Sequence, residues 1–238
     1  MSSELRLVWV YPDLLSTYGD RGNLLILARR AGARGLDVER VEVRADRPVP
    51  AGGDVYLLGG GEDGAQAHAA ERLLADGGLG RAVDRGAVVF AVCAGYQLLG
   101  ASFVAKGARR AGLGLLDAHS DRGPRRAVGE LAGEVDAELD LPTLTGFENH
   151  GGRTHLGVDA RPLAKTTLGI GNDGQTEGAW HGTVLGTYAH GPALARNPRL
   201  ADLLLRWATG EALAPLDDAW PDRLRAERRT AARLTRRR

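Results

Sequence analysis

Cys93 is the only cysteine among 238 residues, and it stands in the stretch 87–100, AVVFAVCAGYQLLG. The apolar run from Val88 to Val92 reads as a buried strand. Ala94 and Gly95, followed by Tyr96, Gln97, Leu98 and Leu99, read as a tight turn into a helix. A thiol at a helix N-terminus feels the partial positive charge of unpaired N–H groups, which predicts a lowered pKa. The arrangement is the thiol counterpart of the strained strand-to-helix elbow that presents a nucleophilic serine. Most lone cysteines are simply buried, so the reading turns on what the chain places at its other strand ends.

A thiol nucleophile needs a base, and there are six histidines: His68, His119, His150, His155, His181 and His190. His190 closes the apolar run VLGTYAH, and Gly191-Pro192 breaks the chain directly after it, a strand-end position where loops carry chemistry. His150, in GFENHGGR, is second in rank. Gly59, Gly60 and Gly61 follow the buried run DVYLL, and three glycines allow bare N–H groups to face a ligand. Such groups hold a phosphate or a tetrahedral oxyanion. The chain has neither G-x-x-x-x-G-K-[ST] nor a G-x-G-x-x-G opening its first helix, so the oxyanion is favoured. Elbow thiol, glycine turn and strand-end histidine together suggest acyl transfer through a thioester.

The elements that must position these residues alternate. Strands are expected at Leu5–Val10, Val38–Val43, 54–58 and 88–92, with helices at 20–33, at 62–85 with a break near Gly77-Gly78, and after Cys93. Such alternation implies a parallel sheet with right-handed crossovers and ligand sites at the C-terminal ends of its strands. Beyond residue 105 shorter strands are expected at 113–116, 128–135, 144–148 and 184–188. A polar loop is expected at 146–153 and a helix at 196–209. No repeat or linker divides the chain, which reads as one domain.

Composition narrows the class. With 43% hydrophobic and 26% charged residues the chain supports a full core, and a net charge of +1 gives no global field for nucleic acid. One cysteine excludes an internal disulfide and a cysteine-rich zinc site, and no metal site is expected. The start, MSSELRLVWV, has no signal-peptide pattern, and no stretch of 18 apolar residues occurs; a cytoplasmic location is the expectation.

The motifs YGDRGN (18–23), GGGEDGAQ (59–66), CAGYQLLG (93–100), GFENHGGRT (146–154) and LGTYAHGP (185–192) together resemble class I, triad-type glutamine amidotransferases. Within that class they resemble the cobyric-acid-synthase-like branch, and most of all the stand-alone glutaminase subunits of lipid II isoglutaminyl synthases. The resemblance implies a flavodoxin-like, three-layer α/β fold with a mainly parallel central sheet, spanning 1–220, with 221–238 as a basic C-terminal helix or tail. It implies that Cys93 attacks the side-chain amide of L-glutamine and that His190 moves the proton. It further implies an oxyanion held by the N–H groups of Gly60 and Ala94, and substrate contacts from Gln97 and Arg126. The class places a glutamate two residues after the histidine, where this chain has Pro192, so any orienting carboxylate lies elsewhere; Asp20 and Glu148 are both candidates.

Amidating a carboxylate requires its activation, and this chain shows no ATP loop. The resemblance implies a heterodimer with a Mur-ligase-like subunit that carries ATP and magnesium and acts on lipid II, with no cofactor in this chain. The alternatives are a cobyric-acid-type subunit for another acceptor and a non-catalytic regulatory protein on the same fold; intact Cys93, Gln97 and His190 argue against the second. Eight arginines between Arg223 and Arg238 suit weak contact with anionic membrane surfaces, although such tails are more often solvated or disordered.

Overall fold

The computed structural model describes residues 4–236, with side chains described as far as residue 231. The first half alternates as expected: β1 (Leu5–Val10), α1 (Arg21–Gly32), β2 (Val38–Val43), β3 (Val55–Leu58), α2 (Asp63–Asp76), α3 (Gly78–Val83), β4 (Val88–Val92) and α4 (Ala94–Leu99). Then come β5 (Ser102–Ala105), β6 (Ala108–Ala111), β7 (Ala118–Val135), β8 (Leu144–Leu156), β9 (Ala164–Leu168), β10 (Thr176–Glu177), β11 (Ala179–His181) and β12 (Val184–Thr187). Helices α5 (Ala193–Arg196), α6 (Pro198–Thr209) and α7 (Ala219–Arg236) close the chain.

The central sheet has the order β2-β1-β3-β4-β12-β11, parallel except for the edge strand β11. From β2 to β12 this is the flavodoxin-like order, with its ligand crevice at the C-terminal strand ends. Every residue of β3, β4 and β12 is buried, as strands covered on both faces must be. On one flank, α1 buries Leu24, Leu27 and Ala31, and α6 buries Leu200, Leu203 and Leu204. These apolar stripes at helical spacing hold the helices to the core.

A second, mostly antiparallel sheet grows out of the first, in the order β10-β9-β7-β5-β6, with β8 paired to β7. Two expectations fail here. Residues 113–116 form no strand; the N–H groups of Leu113, Leu115 and Leu116 instead bond the carbonyls of Leu98 and Leu99, satisfying the open C-terminal end of α4. Residues 146–153 are not a loop but the middle of β8, paired with β7 across a register shift between Arg122 and Ala127. The polarity of this strand is inverted, which hid its continuation past residue 148: Glu148 and His150 are buried, while Phe147 is exposed.

No helix among the described residues is long and apolar enough to cross a membrane. The Arg-rich C-terminal segment is helical and partly docked: Arg225 is buried and bonds the carbonyl of Thr143. The side chains of its last arginines lie outside the described residues.

Candidate active site

Cys93 sits where β4 turns into α4, with φ 54° and ψ −107°. A non-glycine residue held there stores about 1–3 kcal/mol of strain, which the buried strand before it and the helix after it enforce. The Gly95 N–H bonds the carbonyl of Gly59, tying the elbow to the end of the neighbouring strand β3. The Ala94 N–H is directed at the sulfur.

The expectation of a lowered thiol pKa fails. Burial and the negative charge of Asp20 push Cys93 up to about 12, against the pull of the Ala94 N–H and of Arg126. A helix of six residues offers too little dipole to offset full enclosure. In this enclosure the neutral thiol is favoured over the thiolate.

His190 follows β12 and is buried, and among the described residues neither ring nitrogen has a hydrogen-bond partner. Its position is fixed from both sides. The chain at 190 bridges Phe147 of β8 through two backbone bonds of 2.8 and 3.0 Å, and the ring of Tyr18 packs edge-on at 4.9 Å. Asp20 Oδ1 lies 3.8 Å from His190 Nδ1.

Of the two candidate carboxylates, only Asp20 faces the histidine. The loop before α1 is laid along the segment after β12. The Leu194 N–H bonds Asn23 Oδ1 at 3.0 Å, and Gly22 approaches Pro192 so closely that a Cβ would fall 2.2 Å from Pro192 Cγ. Thus the proline that displaces the usual glutamate is also a packing partner of the loop that brings Asp20 in. Glu148 is committed elsewhere: it accepts from the N–H groups of Ile170 (2.8 Å) and Gly171 (2.9 Å) and lies 3.3 Å from His150 Nε2. His150 stacks on Tyr188 at 3.7 Å, and burial lowers its pKa.

Gly60 lies at the meeting point. A Cβ there would sit 3.1 Å from His190 Cε1, 3.5 Å from Asp20 Oδ2 and 3.6 Å from Cys93 Cβ. Its N–H, expected to hold an oxyanion, instead donates to Asp20 Oδ2 at 2.6 Å. The amide is spent on fixing the carboxylate. Ala94, the other expected donor, lines the cleft beside Cys93.

Arg126 and Gln97 line the same cleft. The Arg126 Nε donates to Asn149 Oδ1 at 2.5 Å, and its Nη2 lies 3.3 Å from both Tyr18 Oη and the Asn149 carbonyl. A guanidinium held in this way presents a fixed fork suited to a carboxylate. Gln97 differs from expectation, because both ends of its amide are used within the protein. Oε1 accepts from Gln66 Nε2 at 2.7 Å, and Nε2 donates to Tyr188 Oη at 3.0 Å. Gln97 therefore builds the cleft wall. Tyr18, Asn149 and Gln66 were not singled out from sequence, although each lies inside a motif that carried the resemblance.

Residues 6–198 match the model of the CobB/CobQ-like glutamine amidotransferase domain. The chain is 35% identical over 210 residues to subunit GatD of the glutamine-hydrolysing lipid II isoglutaminyl synthase of Staphylococcus aureus strain N315, covering 86% of this chain and 84% of that one. It is 36% identical over 213 residues to the same subunit from Streptococcus pneumoniae, covering 86% and 80%. A crystal structure of a glutamine amidotransferase superposes with a TM-score of 0.59 at 20% identity, over 85% of this chain and 98% of that one, which supports the fold. The chain belongs to the CobB/CobQ-like glutamine amidotransferase family.

Proposed function

We propose that this chain is the glutamine-hydrolysing subunit of a two-subunit enzyme that amidates lipid II. Cys93 Sγ attacks the side-chain amide carbon of L-glutamine, and His190 takes the thiol proton and returns it to the departing ammonia. Water then hydrolyses the glutamyl thioester, releasing glutamate and the thiol. The Ala94 N–H is the donor best placed for the tetrahedral oxyanion. Arg126, held by Tyr18 and Asn149, receives the α-carboxylate of glutamine. Asp20 orients the His190 ring and stabilises it while charged, in place of the glutamate that Pro192 displaces.

The observation that carries this reading is the packing of Cys93, His190 and Asp20 around one glycine, Gly60. Likeness to the GatD subunits over most of the chain supports lipid II as the acceptor and the need for a partner subunit. The partner is a Mur-ligase-like subunit binding ATP and magnesium, which amidates the α-carboxyl of D-glutamate in the lipid II stem peptide. A reaction drawing on ATP places the pair in the cytoplasm.

The test uses the chain with that partner, ATP and lipid II. Cys93→Ser abolishes glutamine-dependent amidation and leaves amidation from added ammonium intact. Loss of both reactions, or retention of the glutamine-dependent one, refutes the assignment.

A further inference from the structure

At the outer edge of the cleft, β7 and β8 carry a constellation that the family reading leaves unused. His119 and Asp121 are two apart on β7 and so share a face, and His155 is the direct cross-strand partner of His119. Their ligand atoms all lie within 4.8 Å of one another. The convergence is specific. Asp121 Oδ2 stands 3.9 Å from His119 Nε2 and 3.8 Å from His155 Nε2, so one carboxylate oxygen faces the same nitrogen of both rings. The other oxygen, Oδ1, accepts from Arg109 Nη2, and Arg109 Nη1 in turn donates to Ser102 Oγ at 2.9 Å. An outer partner that fixes a carboxylate while leaving its second oxygen free is how metal sites orient their ligands.

We infer that His119, Asp121 and His155 form a binding site for a divalent transition-metal ion of the zinc type. Two imidazole nitrogens and one carboxylate oxygen are a donor set for such an ion, with water completing the shell. Metal–ligand bonds of about 2.0–2.2 Å require the three atoms to draw closer. All three side chains are between 38% and 50% exposed, so rotation about their side-chain bonds is enough.

The site is tied to the cleft from behind. On the opposite face of the same two strands, Ser120 Oγ and Thr154 Oγ1 are buried and 2.8 Å apart, and Thr154 Oγ1 lies 2.7 Å from Tyr188 Oη, the group that receives Gln97. Asp121 and its neighbour Arg122 also line the rim of the cleft. A bound ion would therefore clamp the two strands that carry part of the cleft wall.

The test is equilibrium dialysis of the untagged full chain against zinc, with cobalt(II) absorption as a second probe. The expected result is one equivalent bound at this site. His119→Ala and His155→Ala should each weaken its binding at least tenfold, while their melting temperatures without metal match the parent. Cys93→Ser keeps the equivalent, which separates it from an ion captured by the thiol and leaves the glutaminase assignment untouched by the outcome. Zinc binding unaffected by either histidine variant, or lost only in Cys93→Ser, overturns the inference.

Discussion

Replacing Asp20 by asparagine keeps the size of the side chain and removes its charge. The carboxylate stands 3.8 Å from His190 Nδ1, and an oxygen at the same position can still accept from the Gly60 N–H. At that separation and an effective dielectric of about 20, the attraction between carboxylate and imidazolium is about 4 kcal/mol. Since about 1.4 kcal/mol is a factor of ten in rate, Asp20→Asn should lower kcat for ammonia release by up to about a thousandfold. KM for glutamine should stay within about threefold, because Asp20 is packed behind the histidine rather than against substrate. The decisive measurement is a double-variant cycle. If Asp20 acts through His190, adding Asp20→Asn to His190→Ala costs almost nothing further. A kcat within threefold of the parent, or a full additional loss in the His190→Ala background, refutes the reasoning.

Two further perturbations test the geometry elsewhere. Gly60→Ala puts a methyl 3.1 Å from His190 Cε1 and forces the ring to shift by a few tenths of an ångström; kcat should fall about tenfold with little change in melting temperature, and an unchanged rate would show that the ring has slack. Buried Glu177 accepts from Thr187 Oγ1 and from the Tyr188 N–H, and burial pushes its pKa up to about 7 from an ordinary 4.5. Because the folded pKa is the higher one, its contribution to stability is complete below about pH 4.5 and is lost as the pH rises through about 7. Urea unfolding at pH 5 and pH 8 should show the parent losing up to about 3 kcal/mol that Glu177→Gln retains; equal losses would place the titration elsewhere.

The amino-acid sequence by itself determined the parallel half of the molecule and singled out Cys93 and His190, which the structure brings together around Gly60. The continuous apolar run at 88–92 reads as a strand covered on both faces, and the small residues that follow let the chain turn at Cys93 directly into α4. Local chemistry suffices for both. It could not reveal that β8 runs on past residue 148, because Glu148 and His150 point inward while Phe147 points out, and a strand whose inner face is polar has no hydrophobic alternation to read. Nor could it set the state of the thiol, since burial and a carboxylate 73 positions earlier in the chain outweigh the helix end that the sequence displays. The choice between Asp20 and Glu148, the engagement of the Gly60 amide, and the meeting of His119, Asp121 and His155 all depend on contacts between segments remote in sequence. Only the packing of α1 against the end of β12, and the register of β7 on β8, decides which of those polar groups meet.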